Sequence, residues 1–480
     1  MKQSKLIQLL SLLRPREIEQ FDELLQTSFF STKTETDQLW AYLKPRCGKW
    51  SKLDQELDKD KIQRSLFGDQ ASSNKSLRNT MSELTRHLEF FLIMGLLKQE
   101  SLPRKKLTIK ALERRKLYEQ FALATQNLIR WHPEAGLRSS SYHLDLMDLH
   151  HHYFFHPSTE KQDPKIDDIQ RAMGHLDAFF VLRKLRYCCE LLNRHYILGE
   201  EYQIELLDEV QALASKQLSE ETPLVYIYLD LIQIFLHGYS DQNYQRIKER
   251  LIHSTLRDDE QQTVLYYLIN INTRQINQVG SPEVIREGLE LYQIGIDREI
   301  LVRNKEITYV TYLNVANKGS VIGEFEWTRD FIEKYRKFLP KAWQKDAYKA
   351  ALATYHFHRG EYEEVPSIMS DLKFPPTTYT LMLRCVLLRS LYELAMLNQS
   401  YQSLFDAELE NLYRYLKYHE YMREEAKAAY ERFRRFTNKL AGIRRKGPID
   451  EQRRADLHQQ LREQYPIAVP RWLHQKIDEL

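Results

Sequence analysis

At 480 residues the chain is longer than one hydrophobic core usually serves, so it must divide into domains or extend as an array of repeats. Gly and Pro number 15 each, about 3% apiece against typical usages of about 7% and 5%, which leaves too few turn formers for a sheet protein. With 42% hydrophobic and 29% charged residues the composition excludes a disordered chain, and a formal net charge of +3 steers neither nucleic acid nor membrane by itself.

The start, MKQSKLIQLLSLLRPRE, has an apolar stretch from Leu6 to Leu13 interrupted by Gln8 and Ser11, and reads as a first amphipathic helix rather than a leader. No window approaches about 18 uninterrupted apolar residues, so no membrane span is expected. Four cysteines, Cys47, Cys188, Cys189 and Cys385, form no disulfide pattern, which fits a reducing cytoplasm.

Residues 1–101 read as a separate helical unit. Pro15 before Arg16 and Glu17 opens a helix, and Ile18, Phe21, Leu24 and Leu25 give it one apolar face. Leu39, Trp40 and Leu43 supply a second face. Ile62, Leu66 and Phe67 then form a short helix face before a Gly68-Asp69 break, and Leu77, Met81, Leu84, Leu88 and Phe91 mark a longer helix. Short helix, loop and longer helix fit either bundle packing or a helix-turn-helix. NKSLRNTMSELTRHLE after KIQRSLFGD resembles the helix-turn-helix half of winged-helix regulators that carry a tetratricopeptide-like module behind it. That resemblance implies that Lys75, Arg78, Asn79, Thr80 and Arg86 approach DNA, against the opposing charge of Glu83 and Glu89 on the same helix. The basic stretch from Leu102 to Lys116, broken by Pro103, is the expected junction with the second region of the chain.

Beyond it the chain repeats. An aromatic residue after a small or polar turn recurs at Tyr202, Tyr244, Phe325, Tyr362 and Tyr401, and the spacings after Tyr244 are 81, 37 and 39. The longest accommodates one unmarked unit near Ser281-Pro282-Glu283, itself a helix start. A period near 40 lies in the helix-pair range of solenoids. The turns at Gly323-Glu324-Phe325 and Gly360-Glu361-Tyr362, the preceding Ala350, Ala351 and Ala353, and Pro340 closing a second helix resemble tetratricopeptide repeats, with a longer period than that family's usual one. LLSLLRPREIEQFDELLQTSFF, NKSLRNTMSELTRHLEFFL and YPIAVPRWLHQKIDEL also resemble a family of bacterial helical-repeat proteins, a likeness that implies no activity.

Candidate chemistry is sparse. YHLDLMDLHHHYFFHP offers His143, Asp145, Asp148, His150, His151, His152 and His156, and His152 with His156 would make an i, i+4 metal pair. The glutamate of a hydrolytic HExxH is missing, and imidazoles packed against Tyr153, Phe154 and Phe155 are the favoured reading. Arg183, Lys184 and Arg186 near Cys188 and Cys189 could activate a thiol, although a buried helix cysteine is the commoner case. Phosphate loops, dinucleotide fingerprints, nucleophile elbows and CxxC pairs are absent, so no enzyme, cofactor or metal is expected. From Asn411 to Lys446 eleven basic residues, Arg432, Arg434 and Arg435 among them, interleave with aromatics such as Tyr413, Tyr418, Tyr430 and Phe433. That pattern suits single-stranded RNA or a core stripe beside a solvated basic face.

The sequence therefore predicts an all-α protein: a helical bundle over 1–101, an α-solenoid of tetratricopeptide-like helix pairs over 102–445, and capping helices over 446–480 whose Trp472, Leu473 and Ile477 dock back. The predicted function is a protein-interaction scaffold with an unidentified protein partner and with Tyr355, His356, His358 and Tyr392 as candidate anchors. The alternatives are a DNA-binding regulator and an RNA-binding protein.

Overall fold

A computed structural model of the chain describes residues 3–27, 33–48, 57–67, 74–157, 167–216, 222–278, 280–370, 372, 378–418, 422 and 424–480. These residues are helical, with no strand among them and one isolated antiparallel bridge between Arg303 and Glu306. None of their helices is long and apolar enough to cross a membrane. Contacts divide the chain into two compact units, residues 1–136 with 141–177 and residues 137–140 with 178–480.

The first unit holds α1 (Lys5–Leu12), α2 (Pro15–Leu25), α3 (Thr34–Leu43), α4 (Lys59–Phe67), α5 (Asn74–Gln99), α6 (Ser101–Arg114), α7 (Tyr118–Arg130), α8 (Ser140–Phe154) and the start of α9 (Asp167–Leu198). Pro15 takes the first helical position of α2, and the Glu17 carboxylate accepts from the Arg14 backbone N–H at 2.8 Å, satisfying a donor the helix start leaves open. α5 packs on α1, α2 and α3, and its stripe of Leu77, Leu84 and Leu88 joins Phe21, Leu39 and Trp40 in one core. The Gly68-Asp69 break lies outside the described residues. The stretch from Leu102 to Lys116 is mostly helix rather than a junction: Pro103 sits in the first turn of α6, where a missing N–H has no intrahelical partner to lose. The division between units falls instead at Asp177–Ala178, within α9.

The second unit continues with α10 (Leu207–Lys216), α11 (Pro223–His237), α12 (Asp241–His253), α13 (Asp258–Gln278), α14 (Pro282–Asp297), α15 (Tyr309–Val321) and α16 (Phe325–Tyr335). Then come α17 (Gln344–His358), α18 (Glu364–Met369), α19 (Thr378–Leu397), α20 (Gln402–Tyr418), α21 (Glu424–Arg444), α22 (Glu451–Glu463) and α23 (Pro470–Asp478). Sequence neighbours pack as pairs, α11 with α12, α13 with α14, α15 with α16, α17 with α18 and α19 with α20, and first helices pack on one another, α15 on α17 and α17 on α19. The recurring aromatics mark entry to the second helix of a pair. Tyr244 is buried in the first turn of α12, Phe325 opens α16, and Tyr362 and Tyr401 precede α18 and α20. The unmarked unit starts at Ser281, whose hydroxyl accepts from the Val284 N–H of α14. Tyr202 falls in the non-helical stretch between α9 and α10.

Helices in this unit approach closely where one residue is glycine. A Cβ on Gly288 of α14 would stand 2.3 Å from Asn272 Oδ1 of α13 and 3.1 Å from Lys318 Nζ of α15, so any larger residue would force neighbours apart. At the other end α23 docks onto α21 and α19, burying Trp472, Leu473 and Ile477. The Trp472 ring meets Tyr392 edge-on at 5.2 Å, and the Lys476 ammonium lies 2.7 Å from the Glu393 carboxylate with both side chains under 10% exposed. Truncating this anchor by Trp472→Ala is expected to cost about 3–5 kcal/mol of stability, read as a lowered urea midpoint at unchanged slope; a loss below about 1 kcal/mol would mean that α23 is not part of the cooperative core.

Candidate functional site

Five helices and the entry to a sixth enclose a cavity of about 480 Å³ in the second unit. Ile276 comes from α13, Ile285 from α14, Asn317, Lys318 and Val321 from α15, Phe357 and His358 from α17, and Arg389 from α19. Val469, Arg471, Trp472, Gln475 and Lys476 close it at the start of α23. Among the described residues no Asp or Glu lines it. Two other cavities contrast with it. The Arg384 guanidinium on a neighbouring cavity of about 510 Å³ meets Glu408 at 2.9 Å, and Lys106 on a smaller cavity of the first unit is paired with Asp145.

The cations of the cavity fall into two groups. Lys476 is neutralised, since Glu479 accepts from its ammonium and the Glu393 carboxylate pairs with it, each at 2.7 Å; burial works against its charge, but these partners more than offset it and hold its pKa above the ordinary lysine value. Lys318 and Arg389 have no carboxylate within ion-pair distance among the described residues. Burial pushes the Lys318 amine down to about 8. Arg389 is 8% exposed; its Nε donates to the Cys385 carbonyl at 3.1 Å and its plane lies over Phe357, 4.3 Å from the ring centroid. Burial draws even this guanidinium down to about 10, with only partial compensation from Cys385, Glu393 and Tyr362. His358, also on the lining, is held neutral, its pKa brought down to about 3 by burial and by Arg389.

Backbone geometry adds donors. α23 begins at Val469 with φ of +52°, a left-handed conformation that costs a β-branched residue on the order of 1–3 kcal/mol. Its side chain cannot cap, Pro470 carries no N–H, and the amides of Arg471 and Trp472 have no acceptor among the described residues. The Arg471 guanidinium rests against the α-carbon of Gly280, which has φ of +64°; a Cβ there would overlap it at 1.3 Å. An uncapped helix start, a buried arginine and a half-buried lysine without carboxylate partners among the described residues, and an arginine at the rim thus share one cavity, an arrangement suited to holding an anion.

The residues singled out in the sequence are distributed differently from the expectation. Tyr392 is fully buried and Tyr355 is 4% exposed, so both serve the core rather than a surface. The imidazole of His356 contacts Glu361 at 2.6 Å, while His358 alone of these four reaches the cavity. The histidine tract spreads over separate partners: His143 to His175 at 3.0 Å, His150 to Asp168 at 2.8 Å, and His152 and His156 to the one carboxylate of Glu113. No three His, Cys, Asp or Glu side chains among the described residues gather as a metal site. Cys188 and Cys189 are buried, and burial raises both thiols, the reverse of activation.

For the nucleic-acid readings, Arg78, Asn79 and Arg86 are exposed on α5, Thr80 is buried with its hydroxyl donating to the Ser76 carbonyl, and the side chain of Lys75 lies outside the described residues. Arg434 and Arg435 both bond Glu431 at 2.7 Å and Arg432 donates to the Pro466 carbonyl at 2.8 Å, while Phe433 and Phe436 are core residues. Sequence patterns do not single out Lys318, Arg389 or Arg471. The signal that could have found Arg389 is a lone arginine inside the apolar run VLLRSLYELAML. Comparison of the chain with protein families, curated proteins and solved structures finds no match.

The low pKa of His358 has a definite pH signature. Folded His358 stays neutral down to about pH 3, whereas the unfolded chain protonates it near 6.5, so the unfolded state binds more protons in between and stability falls as pH drops through that window. His358→Gln is expected to remove this part of the acid loss: its melting temperature should fall less than that of the parent between pH 6.5 and pH 4, and equal slopes would show that the imidazole is not buried neutral.

Proposed function

We propose that the protein is a non-catalytic interaction adaptor, whose second unit is a solenoid of tetratricopeptide-like helix pairs and grips its partner through an anionic group lodged in the cavity beneath α23. The observation that carries this reading is the pair of buried Arg389 and half-buried Lys318, two cations on one cavity that no carboxylate lines among the described residues. Buried charges without partners lower stability, and a chain keeps them where something else supplies the counter-charge. The helix-pair packing of α11 to α20 supports the solenoid, because each pair buries its apolar face on the next and leaves polar ends and cavities for recognition. The arginines of the RNA reading, by contrast, already have acceptors within the protein.

Lys318→Met separates this reading from a structural role. It keeps the unbranched stem to within one atom and removes the uncompensated charge, so the ligand-free protein should become more stable by about 1–3 kcal/mol. The parent should gain melting temperature when chloride is replaced by phosphate at constant ionic strength, by mass action on the folded state, and the variant should not. Destabilisation of the variant, together with no response of the parent to any anion, would sink the proposal.

A further inference from the structure

We propose that the anionic group is a dianionic phosphomonoester carried on an apolar or aromatic stem, an inference that rests on the anion-binding role of the cavity and goes on to specify its ligand. The charge count points to a dianion. Lys476 is already balanced by Glu393 and Glu479, which leaves buried Arg389 and half-buried Lys318 as the two unbalanced charges, with Arg471 at the rim. A carboxylate supplies one charge, whereas a phosphomonoester carries close to two at pH 7 and presents three acceptor oxygens. Those oxygens have donors to meet in the Arg389 guanidinium, the Lys318 ammonium and the open amides of Arg471 and Trp472 at the start of α23. Arg389 is the buried member of this set, more than nine-tenths removed from solvent, with only its Nε occupied.

Volume and lining give the stem. The cavity of about 480 Å³ lies within the roughly 300–1,000 Å³ of small-molecule sites and has room for about sixteen water volumes, of which a five-atom oxyanion fills a minor part. The remaining space is walled by Ile276, Ile285, Val321, Phe357 and Trp472, side chains that favour an apolar body. Asn317 and Gln475 add amides that can read a polar edge. The shared chemistry, a phosphate monoester on a stem of this kind, occurs both in free metabolites such as mononucleotides and in phosphorylated side chains of a partner.

The test is isothermal titration of the full chain with phenyl phosphate, phenyl sulfate and inorganic phosphate. Phenyl sulfate has the same shape and one charge fewer. The expected result is binding of phenyl phosphate at least tenfold tighter than of either other ligand, with affinity rising from pH 5 to pH 7 as the ester loses its second proton. Lys318→Met and Arg471→Ala should each weaken it tenfold or more, and Arg471→Ala, at an exposed position, should leave the melting temperature of the free protein unchanged. Equal affinity for phenyl sulfate would overturn the dianion, and equal affinity for inorganic phosphate would overturn the stem; either would leave the anion site itself standing. Failure of every anion would remove both the inference and the reading beneath it. Adenosine monophosphate and a phosphotyrosine peptide then assign the source: the tighter binder of the two, if it exceeds phenyl phosphate, supports the inference and names the carrier.

Discussion

The seating of α23 against α19 is the contact on which the C-terminal half of the second unit depends. Its ion pair, Lys476 with Glu393, is buried on both sides and therefore adds little net stability over two apolar residues of the same size. Its contribution is position. Trp472, Leu473 and Ile477 provide the apolar burial, of order 1.5–3 kcal/mol for each large side chain, but a hydrophobic face tolerates small slides that a paired charge does not. With Lys476 fixed on Glu393, the first turn of α23 stands at the cavity, and Val469 takes up its left-handed backbone there.

Several local costs meet at this one place. Lys318 and Arg389 are desolvated without counter-ions among the described residues, Val469 is strained, and two amides at the start of α23 lack acceptors. Each alone is common in folded proteins. Their coincidence in one cavity is informative beside the paired charges of the same unit, where Asp230 binds both Arg246 and Arg250, Arg186 binds Asp259, and Arg384 binds Glu408. Glu260, by contrast, is buried without a cation paired to it among the described residues and is held toward its neutral form, its pKa pushed up to about 7 by burial. Two cations left open in one cavity depart from local consistency in the manner expected of a functional site.

Helical architecture is legible in the sequence because its signals are local. Apolar spacing locates α2, α3 and α5, Ser281-Pro282 locates α14, and the turn aromatics locate the second helices of later pairs. The junction expected over 102–116 is helix instead, because a proline such as Pro103 in the first turn of a helix loses no hydrogen bond and so breaks nothing. The cavity is not legible in this way. Its cations stand at positions 318, 389, 471 and 476, brought together only by the stacking of first helices and the return of α23. In the linear pattern Lys318 is one more lysine at the end of a helix, where the negative end of the helix dipole welcomes it, and nothing local reveals that no carboxylate will face it.

The aromatic residues tell the converse story. The second unit uses tyrosines and phenylalanines in the contacts between its helices: Phe325 packs edge-on against Tyr355, and Tyr392 meets both Phe405 and Trp472. Aromatic residues in the sequence are therefore a poor guide to a recognition surface in a helical unit of this kind, because Tyr355 and Tyr392, which look like anchors, are buried in the helix contacts. The residues free to serve recognition are those whose removal would improve the fold. Lys318 meets that criterion, because its amine is held below its ordinary pKa by burial alone, with no carboxylate to lose. A ligand that restored its charge would raise that pKa, so binding near pH 8 and the uptake of a proton by Lys318 are two views of one equilibrium.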